Sequence, residues 1–201
     1  MALLIPAGLR AQPLYELREV AMLPPYCKHT QDFREKVPGG NSPAEIERWS
    51  LVLGDTFQAM HHYCYGLVAA NRAAFSARTT QQRLYQLNAS IREFDYVIER
   101  APSNFVLLPE ILWKKGESLI RLGRAPQGIL ELQRAIALKQ DYWPPYAAIS
   151  DHYKEIGDIP RAREWLQKGL SASPNTNALA RRLAELDAPQ SKRRPEPPAE
   201  R

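Results

Sequence analysis

One pattern occurs twice in this chain, 34 residues apart, and no other feature restricts the fold as strongly. The first copy reads LWKKGESLIRLGRAPQGILELQRAIALKQD (residues 112–141) and the second YAAISDHYKEIGDIPRAREWLQKGLSASP (residues 146–174). At this offset Gly123 matches Gly157, Pro126 matches Pro160, Leu132 matches Leu166 and Ala135 matches Gly169. A period of this length describes one helical hairpin, which cannot bury its apolar face alone and stacks on a neighbour. Each copy also carries its own punctuation: a glycine suited to end one helix, then a proline suited to the first turn of the next. The inner faces fall to Leu112, Gly116 and Leu119 with Ile129, Leu132 and Ile136. In the second copy they fall to Tyr146, Ile149 and Tyr153 with Ala162, Leu166 and Leu170.

Upstream, proline usage marks a second organised region. The chain has 17 prolines, yet none between Pro43 and Pro102. Ser42-Pro43-Ala44-Glu45 reads as a capping box, with Pro in the first helical position. Ile46, Trp49, Leu53, Phe57, Met60, Cys64 and Leu67 then recur at three- or four-residue steps, which predicts one long helix ending near residues 75–78. Gly54 and Gly66 each weaken it by about 1 kcal/mol relative to Ala and are its candidate kinks. Thr79-Thr80 caps a second arm, along which Leu84, Leu87, Ile91, Phe94, Ile98 and Ala101 keep the spacing. The two arms predict an antiparallel hairpin longer than those that follow.

The remaining segments lack a sustained period. Residues 1–12, MALLIPAGLRAQ, resemble the back half of a secretory signal cleaved after Ala11, although no basic region precedes the apolar run. Residues 13–41 are irregular, with short turns around Leu14, Leu17 and Val20 and around residues 30–36, and with stops at Pro24-Pro25 and Pro38-Gly39-Gly40. The expected organisation is therefore a signal remnant or flexible start at 1–12, an irregular segment at 13–41, a long hairpin at 42–102 and two repeats at 109–174. A capping helix at 175–187 and a disordered tail at 188–201 complete it; the tail holds four prolines and six charges with no large apolar residue.

These residues resemble the tetratricopeptide repeat family. The resemblance rests on small residues where paired helices meet (Gly116, Gly128 and Ala135; Ala162 and Gly169), large apolar residues between them, and a closing Pro174. FDYVIERAP at 94–102 is similar to the end of such a repeat, which places a divergent unit before it. Ser150 stands where the family usually has Gly, and Lys139-Gln140-Asp141 lacks the usual proline. The resemblance implies an all-α fold of antiparallel hairpins stacked as a short right-handed solenoid, opened by a longer N-terminal hairpin. It also implies a non-enzymatic adaptor with a concave groove for a protein or peptide. The groove candidates are Glu110, Trp113, Glu117, Arg121, Asp151, Lys154 and Glu155. A subset of the family grips a peptide's C-terminal carboxylate with a Lys/Asn/Arg set. Trp113, Glu117, Ala147 and Asp151 occupy those places here, so the resemblance does not extend to that activity. Solvation of exposed helix faces is the plain alternative for the groove residues.

One other cluster carries chemistry: Cys27, His29, His61, His62 and Cys64. Two cysteines beside a signal-like start favour a Cys27–Cys64 disulfide, and with it a periplasmic or otherwise exported protein. A zinc site of Cys27, His29, His61 and Cys64 is the alternative, although Cys27-Lys28-His29 is tighter than common zinc spacings. The third reading is a buried Cys64 beside a satisfied His61, with His62 towards solvent. No phosphate loop, nucleophile elbow or metalloprotease helix occurs, so the sequence gives an enzyme no foothold. The net charge of +5 owes much to Arg10, Lys192, Arg193, Arg194 and Arg201 at the ends, and carries no specific nucleic-acid signal. No apolar run is long enough to span a membrane.

Overall fold

A computed structural model describes residues 15–188; the signal-like residues 1–12 and all of the expected disordered tail but Ala188 lie outside them. Every regular element among the described residues is helical. They form two compact units, divided between Val106 and Leu107.

The first unit opens with helical pieces too short to stand alone: α1 (Leu17–Val20), a 3-10 turn (Pro25–His29) and α2 (Gln31–Arg34). Helices of four residues have no intrinsic stability in water, so these depend on what they pack against. Tyr15 stacks on Phe33 with ring centroids 4.2 Å apart, and Phe33 meets Tyr65 at 5.0 Å. The Tyr65 hydroxyl donates to Asp32 at 3.0 Å, and Arg72 makes a two-point bond to Glu19 at 2.6 and 2.7 Å.

The long first arm is not one helix. It runs as α3 (Pro43–Leu53), a 3-10 stretch (Gly54–Ala59) and α4 (Met60–Phe75). The break falls at Gly54, whose φ of 59° and ψ of −154° are open only to glycine. The apolar stripe survives it: Leu53, Phe57, Met60, Cys64 and Leu67 are all buried. Ser42 does not cap α3 through its side chain. Glu45, which a capping box would turn back, instead reaches forward to Trp49 Nε1 at 3.2 Å and Arg48 at 3.5 Å. Thr79 does cap the return helix α5 (Thr80–Ile98), accepting from the Gln82 amide at 3.1 Å. Leu87, Ile91 and Phe94 of α5 face α4, whereas Leu84 is exposed because it sits beyond the end of the packed interface.

The second unit is regular. Helices α6 (Leu108–Arg121), α7 (Ala125–Leu138), α8 (Pro144–Glu155), α9 (Ile159–Ala172) and α10 (Asn177–Asp187) each pack on the next in sequence. Gly123 and Gly157 end α6 and α8 in the left-handed region, at φ of 85° and 82°, and Asp158 caps α9 by accepting from the Arg161 amide. Leu112, Leu119, Leu132, Ile149, Ala162, Leu166 and Leu179 form the buried faces. Where α6 crosses α7, a Cβ on Gly116 would lie 2.7 Å from Leu132 Cγ, and one on Gly128 would lie 2.7 Å from the Gly116 carbonyl oxygen. Glu131 is buried at the same contact between Lys115 at 2.7 Å and Arg134 at 2.5 Å. An acid at this depth persists because it is paired.

The Gly116–Gly128 crossing sets a contest of known sign. Ala in a helix interior is worth about 1 kcal/mol over Gly, while overpacking against backbone costs about 1–3 kcal/mol. Gly128→Ala is expected to lower stability by up to about 2 kcal/mol net in urea unfolding, with Gln127→Ala near neutral. A stabilised Gly128→Ala would mean that the two backbones do not approach this closely.

Candidate functional site

Two places concentrate functional side chains, one in each unit. In the second unit, Glu110, Trp113, Glu117 and Arg121 lie on α6 at spacings that share a face, and Asp151, Lys154 and Glu155 lie on α8. The structure gathers the first three around a residue that the sequence does not single out, Tyr142, in the link before α8. The Trp113 and Tyr142 rings meet edge to face, 5.9 Å apart at 79°. Burial raises the Tyr142 hydroxyl well above its ordinary pKa, and the neighbouring carboxylates of Glu110 and Glu117 raise it further. Lys114 Nζ sits 3.6 Å from the centre of the Trp113 ring and 3.2 Å from Glu117. Trp113 Nε1 is buried without an acceptor. The result is an aromatic pair beside two acids and one of the chain's own cations, a chemistry suited to recognition of a side chain.

The other groove candidates behave differently. Asp151 receives Arg182 of α10, whose Nε lies 3.3 Å from both carboxylate oxygens. Arg121, Lys154 and Glu155 are exposed. Tyr142 and Lys114 escape a reading by repeat position because one belongs to a link and the other points along its own helix to a neighbour. The only sequence signal for Tyr142 is the aromatic-rich link itself, Tyr142-Trp143 ahead of Pro144.

In the first unit Cys27 and Cys64 are joined in a disulfide, with Cα atoms 5.7 Å apart and both residues fully buried. This is the expected pairing. Buried sulfurs are shielded from attacking thiolates, as in structural bridges. The bridge ties the 3-10 turn to the middle of α4. The zinc alternative of Cys27, His29, His61 and Cys64 is not assembled: the sulfurs are bonded to each other, and no metal-ligating group of three forms among the described residues. His29 is buried, donating from Nδ1 to the Gly40 carbonyl at 2.7 Å. His61 donates to the Gln58 carbonyl at 2.9 Å, and burial, followed by the adjacent His62, lowers its pKa. His62 is not turned to solvent. It stacks on Tyr96 at 3.6 Å and meets Glu93 at 2.6 Å, because α5 supplies both an acid and a ring opposite it.

Beside these histidines a cleft of about 930 Å³ opens where α3 breaks, lined by Leu51, Val52, Gly54, His61, Arg100 and Phe105 among others. Gly54 within an apolar stripe was its sequence trace; its presence depends on where the chain turns after the break.

In comparisons with known proteins, no family model matches the chain and no curated protein matches it. The described residues are all-helical, disulfide-bridged in the first unit and built of successive hairpins in the second.

Closing residues 27–64 removes chain entropy worth about 4 kcal/mol, an upper value. Cys27→Ser with Cys64→Ser is expected to lower the unfolding free energy by roughly 2–4 kcal/mol, and wild-type protein in reductant to match it. An unchanged urea midpoint would mean that the bridge does not stabilise the fold.

Burial alone would push the Glu19 carboxyl up, but the bond and charge of Arg72 outweigh it and leave the pKa below the ordinary 4.5. A lowered carboxylate pKa stabilises fully above 4.5 and loses that contribution as pH falls through the lowered value. Glu19→Gln is expected to cost about 2 kcal/mol near neutral pH and progressively less in acid, since both partners keep some exposure. A cost independent of pH would remove the ion pair from the account.

Proposed function

We propose that this chain is an exported, non-enzymatic interaction module of the tetratricopeptide kind, which binds a peptide or protein partner over the α6–α8 face. One observation carries this reading: Glu110, Trp113 and Glu117 share one face of α6, where the indole meets Tyr142 beside the two acids. Aromatic residues in a partly buried recess, with polar groups at the rim, are the usual anchors of protein interfaces. The glycine-ended hairpins α6–α7 and α8–α9 support the repeat reading, and their short connections fit a stacked, right-handed array. The Cys27–Cys64 bond is compatible with export into an oxidising compartment. No described helix is long and apolar enough to cross a membrane.

Asp151, held by Arg182, forms a second contact point on this face. In pull-downs from the native extract with the full chain as bait, Trp113→Ala with Asp151→Ala is expected to weaken partner capture about tenfold or more. Circular dichroism separates a lost site from a lost fold, and Glu110→Gln with Glu117→Gln tests the rim without opening a cavity. A partner held as tightly by all these variants would place the binding surface elsewhere.

A further inference from the structure

The tip of the α4–α5 hairpin is unlike the rest of the surface. Residues 56–92 contain no Asp or Glu, although the chain has 22 acids in all, and they include Arg72, Arg78, Arg83 and Arg92. At the turn joining the helices this segment leaves large apolar side chains in solvent: Phe75 is 83% exposed and Tyr85 67%, with Leu84 beside it at 41%. Arg78 and Arg83 are exposed among them. Phe75 ends α4 while Leu84 and Tyr85 lie in the first turns of α5, so the three stand at one end of the hairpin. A recess of about 790 Å³ adjoins this end, lined by Arg18, Arg72, Phe75, Arg78 and Gln82. The acids that also line it are Glu16 and Glu19, and both are already paired, with Arg18 at 2.7 Å and Arg72 at 2.6 Å.

We infer that this tip is a membrane-surface contact: Phe75, Leu84 and Tyr85 enter the interfacial region of an anionic phospholipid bilayer while Arg78 and Arg83 pair with its headgroups. Apolar and aromatic side chains flanked by arginine are the composition of elements that lie in the interface without spanning it. Each basic residue near an anionic leaflet contributes on the order of 1 kcal/mol, and the attraction fades within a Debye length. Two arginines alone give weak adhesion, and burying a phenylalanine and a leucine supplies the second signal that stable attachment requires. Nucleic acid is the other polyanion that an arginine and aromatic surface could take. The aliphatic Leu84 fits acyl chains and offers bases nothing to stack on, and the disulfide favours a compartment where lipid is the available polyanion. The contact is independent of the α6–α8 face.

The test is flotation of the full chain with phosphatidylcholine vesicles, with and without phosphatidylglycerol. Binding is expected only to the anionic vesicles, falling about fivefold for each of Arg78→Gln and Arg83→Gln. Phe75→Ser and Tyr85→Ser keep the charge and are expected to weaken binding comparably. All four positions are exposed, so the variants should keep the wild-type circular dichroism. Neutralising Lys192, Arg193 and Arg194 to Gln is expected to leave binding in place. Three results would overturn the inference: no binding of wild type to anionic vesicles, loss of binding only in the tail variant, or duplex DNA bound as tightly as vesicles with Phe75→Ser without effect.

Discussion

Backbone proximity is the constraint on which the regular half of this protein depends. Helices α6 and α7 cross at Gly116 and Gly128, where neither has room for a Cβ. At α9, Gly169 admits Tyr146 and Leu179 in the same way. Closeness at these points fixes everything around them: Leu132 drops into the space beside Gly116 and becomes fully buried, and Lys115 comes within 2.7 Å of Glu131. A methyl group at a crossing would separate the axes and loosen both the core contact and the ion pair, since packed interiors do not absorb even one added carbon freely. The Trp113–Tyr142 pair inherits this precision. Trp113 lies on α6 and Tyr142 follows α7, so their meeting depends on how α6 and α7 are held.

The first unit solves a different problem. Its opening has no period, and its helical pieces are too short to persist by local bonding. They are fastened individually: Cys27 to Cys64, Glu19 to Arg72, Tyr15 and Phe33 to the face of α4 at Tyr65. Each fastening reaches α4, which makes that helix the backbone of the unit. The break before it falls at Gly54, whose backbone conformation only glycine adopts. The apolar stripe from Leu53 to Leu67 runs through the break, and the cleft beside His61 and Arg100 lies where the break falls.

What could be read from the residues divides along the range of the interactions involved. Helix ends marked by Gly123, Gly157, Thr79 and Asp158 were legible because the stop or cap is a property of a few consecutive residues. Much of the buried faces of α4 to α9 was legible from spacing, as at Leu87, Phe94, Leu112, Leu132 and Leu166. The disulfide was legible because two cysteines admit one pairing and the alternatives needed partners of poorer spacing. Where the structure differs, the partner was chosen by what lies within reach, one turn away or on another helix, and residue spacing does not announce that choice. Glu45 was expected to close a capping box and instead serves Trp49; His62, turned to solvent in one of the three readings of its cluster, is claimed by Glu93 and Tyr96 of α5; Leu84 was expected in the core and overshoots it. Tyr142 belongs to the same class, since a link residue has no period to announce it.

Averages conceal the remaining lesson. A net charge of +5 spread over 201 residues suggests little, and most of the imbalance sits in the terminal arginines and lysines. Yet the acids are unevenly placed, absent from residues 56–92 and frequent through α6 to α10. The two units therefore present opposite chemistry at their aromatic sites: Phe75 and Tyr85 stand beside Arg78 and Arg83, whereas Trp113 and Tyr142 stand beside Glu110 and Glu117. Aromatic rings accept either setting, because their faces attract cations and their bodies bury apolar area. It is the charge beside the ring that selects the partner. On the two proposals made above, this segregation would give an anionic surface to the first unit and a protein to the second, each site disfavouring the other's ligand by charge.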